Sequence, residues 1–312
     1  MNKFEEKNLL RALENINQDY KTLLTGKEYK LGKKIYGAIH GLKSLRLSEI
    51  HKKIRREVGR RKTEKLFGKQ VGNANVDGEI WNRDLHLYNS KKKVVVYSCI
   101  SGGYDSVIEP YYNAGIDFVM FTDEDNVKSS IWKIRAIPPA AKSMSKGTIM
   151  NRYLKLHPYE LFSGEYDYAI YIDGNVKVVS DIRIFCEKID PSVGISMHRH
   201  VLRDCIYEEA TVCKILGKGS ADKLDKQVLR YKQNGFPEHF GMLEGTVIVS
   251  DLNNATGQDI LEKWWNEFYM SESLRDQLSL PYVLWENGYS IDQVGTLGKN
   301  VYDNTKFQIT PH

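Results

Sequence analysis

No apolar run in this 312-residue sequence approaches the roughly 20 residues that crossing a bilayer requires. The polar start MNKFEEKN lacks the apolar stretch of a signal peptide. Cysteine is scarce: Cys99, Cys186, Cys205 and Cys213 show no CxxC spacing, and most sit in the apolar or mixed contexts of reduced, packed thiols. These absences together predict a cytoplasmic chain, in which the Asn254-Ala255-Thr256 sequon has no meaning. Common fingerprints are missing too. There is no G-x-G-x-x-G and no G-x-S-x-G, and Gly217-Lys218-Gly219-Ser220 lacks the earlier glycine of a P-loop. Ser143 to Lys146 reads S-x-x-K, but its partner motifs are absent.

Charge is present but uneven. Residues 1–70 hold 19 Lys/Arg against 8 Asp/Glu, and the whole-chain totals of 45 and 40 leave 26 against 32 for the remainder. A basic segment is thus joined to a mildly acidic body, which suggests an anionic partner. From 27 to 62, Leu31, Ile35, Ile39, Leu42, Leu45, Ile50, Ile54 and Val58 recur at helical steps among lysines and arginines. Gly32, Gly37 and Gly41 argue against one rigid helix. Two readings stand: an amphipathic segment lying on an anionic membrane, or a helical hairpin packed on the body with its charges solvated. Nucleic acid is excluded as a partner, because no aromatic interleaving or binding motif accompanies the charge.

Residues 71–91 are rich in Gly, Asn and Asp and read as a linker. From 92 to 312 the texture changes. VVVYSCIS, DFVMFTD, YAIYID, VGISMH and GTVIVSD are short apolar runs between helical or loop segments. That alternation predicts an α/β domain around a buried, largely parallel sheet. Four runs end in polar clusters: Ser101 to Asp105, Thr122 to Asp125, Asp173-Gly174-Asn175 and His198 to His200. Ligands of open α/β sheets bind beyond the carboxyl ends of the strands. Any one cluster could be only a turn; four together point to a site. Asp173 and Asn175 flank a glycine, a spacing at which two oxygens turn toward one point and suit Mg²⁺ or Mn²⁺ carrying a diphosphate.

This arrangement resembles the DxD motif of GT-A glycosyltransferases, with asparagine for the second aspartate. Around it, IYIDGNVKVVSDIRIF, MHRHVLRDCIYEEA, QVLRYKQNGFP, MLEGTVIV, WWNEF and LRDQLSLPYVL follow in order. The succession resembles the glycosyltransferase-like family first catalogued as domain of unknown function 616, which includes plant mucilage-related and bacterial polysaccharide-locus proteins. The resemblance runs from about Val94 to Tyr289. It implies a GT-A-like, Rossmann-related, mixed and mainly parallel sheet flanked by helices, with an N-terminal helical segment before it. A fainter likeness to the retaining galactosyltransferase and glycogenin-type family lies in MLEGTVIVSDLNN, Asp276-Gln277 and His312, with Glu244 where that family has asparagine.

The resemblance implies roles. Ser101, Gly102, Tyr104, Asp105, Thr122 and Asp123 would hold the nucleotide. Asn151, Arg152 and Lys155 would face the diphosphate. Asp173 with Asn175 and His312 would ligate the metal. His198, Arg199, His200, Arg203 and Glu208 would line the sugar or acceptor pocket, and a zinc site is the competing reading for the two histidines. Glu208 and Glu209 adjoin on a helical pattern, one for the site and one for the surface. Glu244, Asp276 and Gln277 are the catalytic candidates, although Ser273 and Asp276 also fit a capping box. The Asp-Gln likeness points to retention of configuration. The expected activity is transfer of a sugar from a nucleotide-sugar to a bacterial surface polysaccharide or lipid-linked glycan, at the inner face of the cell membrane. A non-catalytic glycan-binding protein with a degenerate fold is the alternative, and the missing phosphate loop argues against a nucleotidyltransferase.

Overall fold

The structure, a computed structural model, describes residues 3–33, 47–67, 91–102, 107–113, 115–144, 146–298 and 300–310. The linker read at 71–91, except residue 91, lies outside them, as do Tyr104, Asp105 and His312.

Among the described residues, eight strands are present: β1 (Val94–Ile100), β2 (Ile116–Thr122), β3 (Lys133–Ala136), β4 (Tyr168–Ile172), β5 (Val176–Val178), β6 (Ile195–Arg199), β7 (Leu243–Asp251) and β8 (Phe307–Ile309). The helices are α1 (Lys3–Thr25), α2 (Leu47–Phe67), α3 (Pro139–Lys142), α4 (Gly147–Leu156), α5 (Pro158–Phe162), α6 (Ile206–Leu216), α7 (Ala221–Gln233), α8 (Ala255–Ser271), α9 (Asp276–Glu286) and α10 (Ile291–Val294). Six strands form one sheet in the order β3-β2-β1-β4-β7-β6. The first four run parallel; β7 is antiparallel to both β4 and β6. The expected mixed, mainly parallel sheet is therefore the observed one.

β1 shows why its sequence is almost unbroken apolar: all seven residues are buried, because both faces of the sheet are covered. Val95, Tyr97 and Cys99 pack with Leu154 of α4, Phe162 of α5 and Trp264 of α8. Val94, Val96 and Ile100 face the opposite core, which includes Phe185, Leu297, Val301 and Phe307. On that second side, β5 and β8 pair as a small antiparallel sheet. A third cluster, around Tyr231, Phe236 and Tyr282, joins α6, α7 and α9.

Both α1 and α2 touch this body, while residues 34–46 of the stretch read at 27–62 lie outside the described residues. Gly59 of α2 lies against α6, where an added Cβ would sit 2.9 Å from Leu216 Cδ2, so a larger residue there would have to displace that side chain. Glu14 and Asn17 of α1 are buried. Among the described residues, no helix is long and apolar enough to cross a membrane.

Candidate functional site

The strand directions explain which residues meet. At the carboxyl edge of the sheet β1, β2, β4 and β6 end, while the antiparallel β7 begins. Asp173 follows β4, and its backbone N–H donates to the Thr246 carbonyl at 3.0 Å. Glu244, at the start of β7, is paired in register with His198 on β6. An acid at a strand start and one at a strand end thus share one edge.

Asp276 opens α9 and is 2% exposed. Its Oδ2 takes Lys155 Nζ at 2.7 Å and Arg152 Nε at 3.0 Å. Burial alone would raise the Asp276 carboxyl, but the two cations outweigh it and hold the group well below the usual carboxylate range. A carboxylate so firmly ionised has little affinity for a proton, so the geometry gives Asp276 to cation positioning rather than base catalysis. Trp264 Nε1 fixes its backbone from the core, donating to the Asp276 carbonyl at 2.8 Å. Ser273 Oγ accepts from Arg275 N at 3.2 Å, so the capping-box reading does not describe this turn.

Lys155 is itself 2% exposed, with Nζ 5.4 Å from the centre of the Tyr171 ring. It is enclosed and committed to Asp276, which corrects its reading as a diphosphate contact. Gly245 makes room for it: a Cβ there would lie 2.7 Å from Lys155 Nζ. Arg152 is the more accessible cation, its side chain 22% exposed. Burial opposes its charge, but Asp276 and then Asp173 hold the guanidinium firmly protonated. Asn151 joins this group, its Oδ1 accepting from Arg152 at 2.6 Å. Tyr171 O–H donates to Asp173 Oδ1 at 3.0 Å.

Glu244 has a different environment. Its Oε1 accepts from Gln277 Nε2 at 3.0 Å and from Thr246 Oγ1 at 3.1 Å. Burial pushes its carboxyl up to about 7, opposed by Thr246 and Lys155 and assisted by Asp173. Gln277 is positioned in turn by Arg275, which donates to its Oε1 at 2.8 Å and lies 3.8 Å from Glu209. Arg203 also pairs with Glu209. Glu209 is the buried member of the Glu208–Glu209 pair, so Glu209, rather than the expected Glu208, joins the network. Glu208 is half-buried, and its Oε2 has no hydrogen-bond partner.

His200 Nδ1 accepts from the backbone of Leu202 at 3.3 Å and of Arg203 at 3.0 Å. These bonds fix the tautomer with the proton on Nε2, the nitrogen 4.0 Å from Glu244 Oε2. Burial lowers His200 to about 4, so it is neutral at physiological pH. His198 and Arg199 do not enter the cluster. Side chains alternate across a strand, and His198 enters the second core between Phe185 and Phe307, fully buried and lowered by that burial to about 3. Arg199 pairs with Asp292 of α10.

The nucleotide candidates lie beside Asp173, since β1 neighbours β4. Gly102, at φ +64°, donates its N–H to Asp123 Oδ1 at 3.0 Å, which ties the ends of β1 and β2 together. Ser101 is half-buried, and Thr122 Oγ1 accepts from Glu124 N at 3.1 Å. Asn175 Nδ2 donates to the Thr310 carbonyl at 3.1 Å, so Oδ1 is the atom left for a ligand. Asp173 and Asn175 therefore offer two hard oxygens, a donor set that fits Mg²⁺ or Mn²⁺ when substrate oxygens complete the shell. Among the described residues, no group of three or more His, Cys, Asp or Glu forms a metal cage. Tyr302, which sequence reading passed over, also belongs here. Partial burial, then Glu244 and Asp173, push its phenol up to about 12. A cavity of about 300 Å³ lined by Phe121, Arg135, Tyr153 and Glu160 contains none of these residues.

No curated protein matches the chain. Among solved structures, mouse xyloside xylosyltransferase 1 in its apo form is similar with 10% identity, over 65% of this chain and 83% of that one, at a TM-score of 0.41. The WbbM bifunctional glycosyltransferase apo structure follows at 11% identity, 64% and 38% coverage and a TM-score of 0.39. The galactosyltransferase LgtC, in complex with donor and acceptor sugar analogs, gives 10%, 61%, 69% and 0.35. Residues 62–294 match a family that takes in most of the sheet and every member of the carboxylate–cation cluster except Tyr302: the chain belongs to the TOD1/MUCI70 glycosyltransferase-like domain family.

Proposed function

We propose that the protein transfers a sugar from a nucleotide-sugar to a glycan acceptor, a bacterial surface polysaccharide or its lipid-linked precursor. The observation that carries this reading is the division of labour at one sheet edge. Asp276 is held ionised between two cations, while Glu244 is kept near neutral pKa within the same network. Two carboxyls pushed apart in this way mark an acid–base site. Glu244 takes the proton from the acceptor hydroxyl, and Arg152, backed by Lys155 and Asp276, faces the leaving diphosphate. Asp173 and Asn175 would hold Mg²⁺ or Mn²⁺, which when bound neutralises diphosphate charge. The β1 and β2 ends, with Ser101, Gly102 and Asp123, take the nucleotide. Gln277 and Arg275 keep Glu244 in place.

An anionic membrane surface is the partner proposed for the basic segment. Ile54 and Val58 are 55% and 60% exposed on α2, with Arg55, Arg61, Lys62 and Lys65 exposed around them, a composition suited to the interface of an anionic bilayer. The test of the reaction is a nucleotide-sugar panel with and without Mn²⁺, monitored by thermal shift and by release of free nucleotide. One donor should stabilise the protein and be turned over. Stabilisation by nucleotide-sugars with no turnover on any acceptor would favour the glycan-binding alternative.

A further inference from the structure

Of the described residues outside the family match at 62–294, α1 and those after 294 bear on the site. They are bound to each other. Among the α1 side chains that are described, the fully buried ones, Glu14 and Asn17, are polar, the reverse of an ordinary surface helix. Glu14, Asn17 and Lys21 point at the body, while Ile16, Tyr20 and Leu23 are 64%, 48% and 60% exposed. Each inward residue meets the C-terminal segment. Asn17 Nδ2 donates to the Thr305 carbonyl at 2.6 Å and to that of Phe307 at 3.1 Å. Lys21 Nζ donates to the Tyr302 carbonyl at 2.9 Å and also to the Asn304 carbonyl. Glu14 pairs with the buried Lys306 and accepts from Ser180 Oγ at 2.6 Å. Residues 300–306 are irregular, and their carbonyls need partners from elsewhere; α1 supplies three of them and also meets the Phe307 carbonyl of β8.

The held segment reaches the site twice. Tyr302, half-exposed, stands two residues before Asn304, which lies against His198, the strand partner of Glu244. Beyond β8, Thr310 donates its N–H to the Asn175 carbonyl at 2.9 Å and accepts Asn175 Nδ2. His198, displaced from the pocket, lies under the same segment, 3.4 Å from Asn304 Nδ2.

We infer that α1 is a positioning element of the candidate site: Glu14, Asn17 and Lys21 hold residues 302–310 so that Tyr302 faces bound substrate and Asn175 keeps Oδ1 toward its ligand. Tyr302 touches the substrate; the three α1 residues act through it. The substrate role rests on the transferase reading, whereas the holding role does not. The experiment therefore has two arms on the full chain. Amide hydrogen exchange is followed across 300–310 in wild type, Lys21→Met, Asn17→Leu and the conservative Lys21→Arg. Exchange at 302–310 should rise at least tenfold in the first two variants and return toward wild type in Lys21→Arg. Unchanged exchange in folded Lys21→Met and Asn17→Leu overturns the holding role. In the second arm, Tyr302→Phe and Tyr302→Ala are compared with wild type in nucleotide-sugar and acceptor titrations. A KM raised several-fold for either substrate at an unchanged melting temperature is expected; wild-type KM and kcat in Tyr302→Ala overturn the contact. A wild type inert toward every donor would sink the transferase reading and the Tyr302 contact together, and leave the exchange arm to decide the role of α1 by itself.

Discussion

Replacing Glu244 with glutamine should stabilise the free protein at alkaline pH while removing its turnover. Burial raises this carboxyl from 4.5 to about 7 in the folded chain. A carboxyl harder to ionise when folded costs nothing below its unfolded pKa; its cost grows as pH rises through the folded one. By linkage the penalty is near zero at about pH 4, about 2 kcal/mol at pH 6 and about 3 kcal/mol at pH 8. Glutamine is nearly isosteric, cannot ionise, and keeps an oxygen for the bonds from Gln277 and Thr246. The gap between variant and wild type should therefore open by about 3 kcal/mol between pH 4 and 8. Urea unfolding of both proteins at several pH values, without metal or nucleotide, measures it directly. A gap that stays flat with pH, or a wild type more stable at pH 8, would falsify the assignment of a raised Glu244. Wild-type kcat/KM should climb about tenfold per pH unit below 7 and then level, because the base form is the ionised one. His200 cannot supply that limb, since it is already neutral above about 4.

Other changes probe the ion-pair hub and its supports. Asp276→Asn leaves two enclosed cations without their shared carboxylate and should cost about 3 kcal/mol or more, seen as a melting temperature lower by roughly 6–12 °C; an unshifted melt would show that the pairs contribute nothing. Gly245→Ala pushes a methyl onto Lys155 Nζ and should destabilise by about 1–3 kcal/mol, whereas wild-type stability would mean that Lys155 moves freely. For the basic segment, exchanging Arg55, Arg61, Lys62 and Lys65 for glutamine should release the protein from vesicles of anionic lipid, and equal retention by the variant would exclude that surface.

The sheet was legible because both faces are covered. Unbroken apolar runs such as Val94 to Ile100 have few other interpretations at that length. Asp173 and Glu244 were legible as residues of the sheet edge because polar residues at the edges of such runs have a restricted set of places to go, whereas Gln277, on α9, came only from the family likeness. His198 was not. Its neighbour Met197 marks a register shift in the β6–β7 pairing, and nothing local shows that His198 turns to the second core while His200 turns to the site. Glu209 and Arg275 escaped for another reason: their partnership crosses from α6 to the start of α9, a distance in sequence that spacing does not report. α1 gave no sign of its role. Its exposed Ile16, Tyr20 and Leu23 form an apolar stripe, while Asn17 and Lys21 reach the body through bonds to backbone carbonyls that leave no trace in a residue pattern.

Turnover in Asp173→Ala is the first measurement to make. Wild type and variant are assayed side by side for release of free nucleotide across the donor panel, with Mn²⁺ present and with melting curves to confirm that both are folded. The proposed reaction requires one donor to be turned over by wild type, with a loss of at least a hundredfold in a variant that melts normally. Equal turnover by the folded variant would contradict it, and the acidic turn after β4 would then be only a turn.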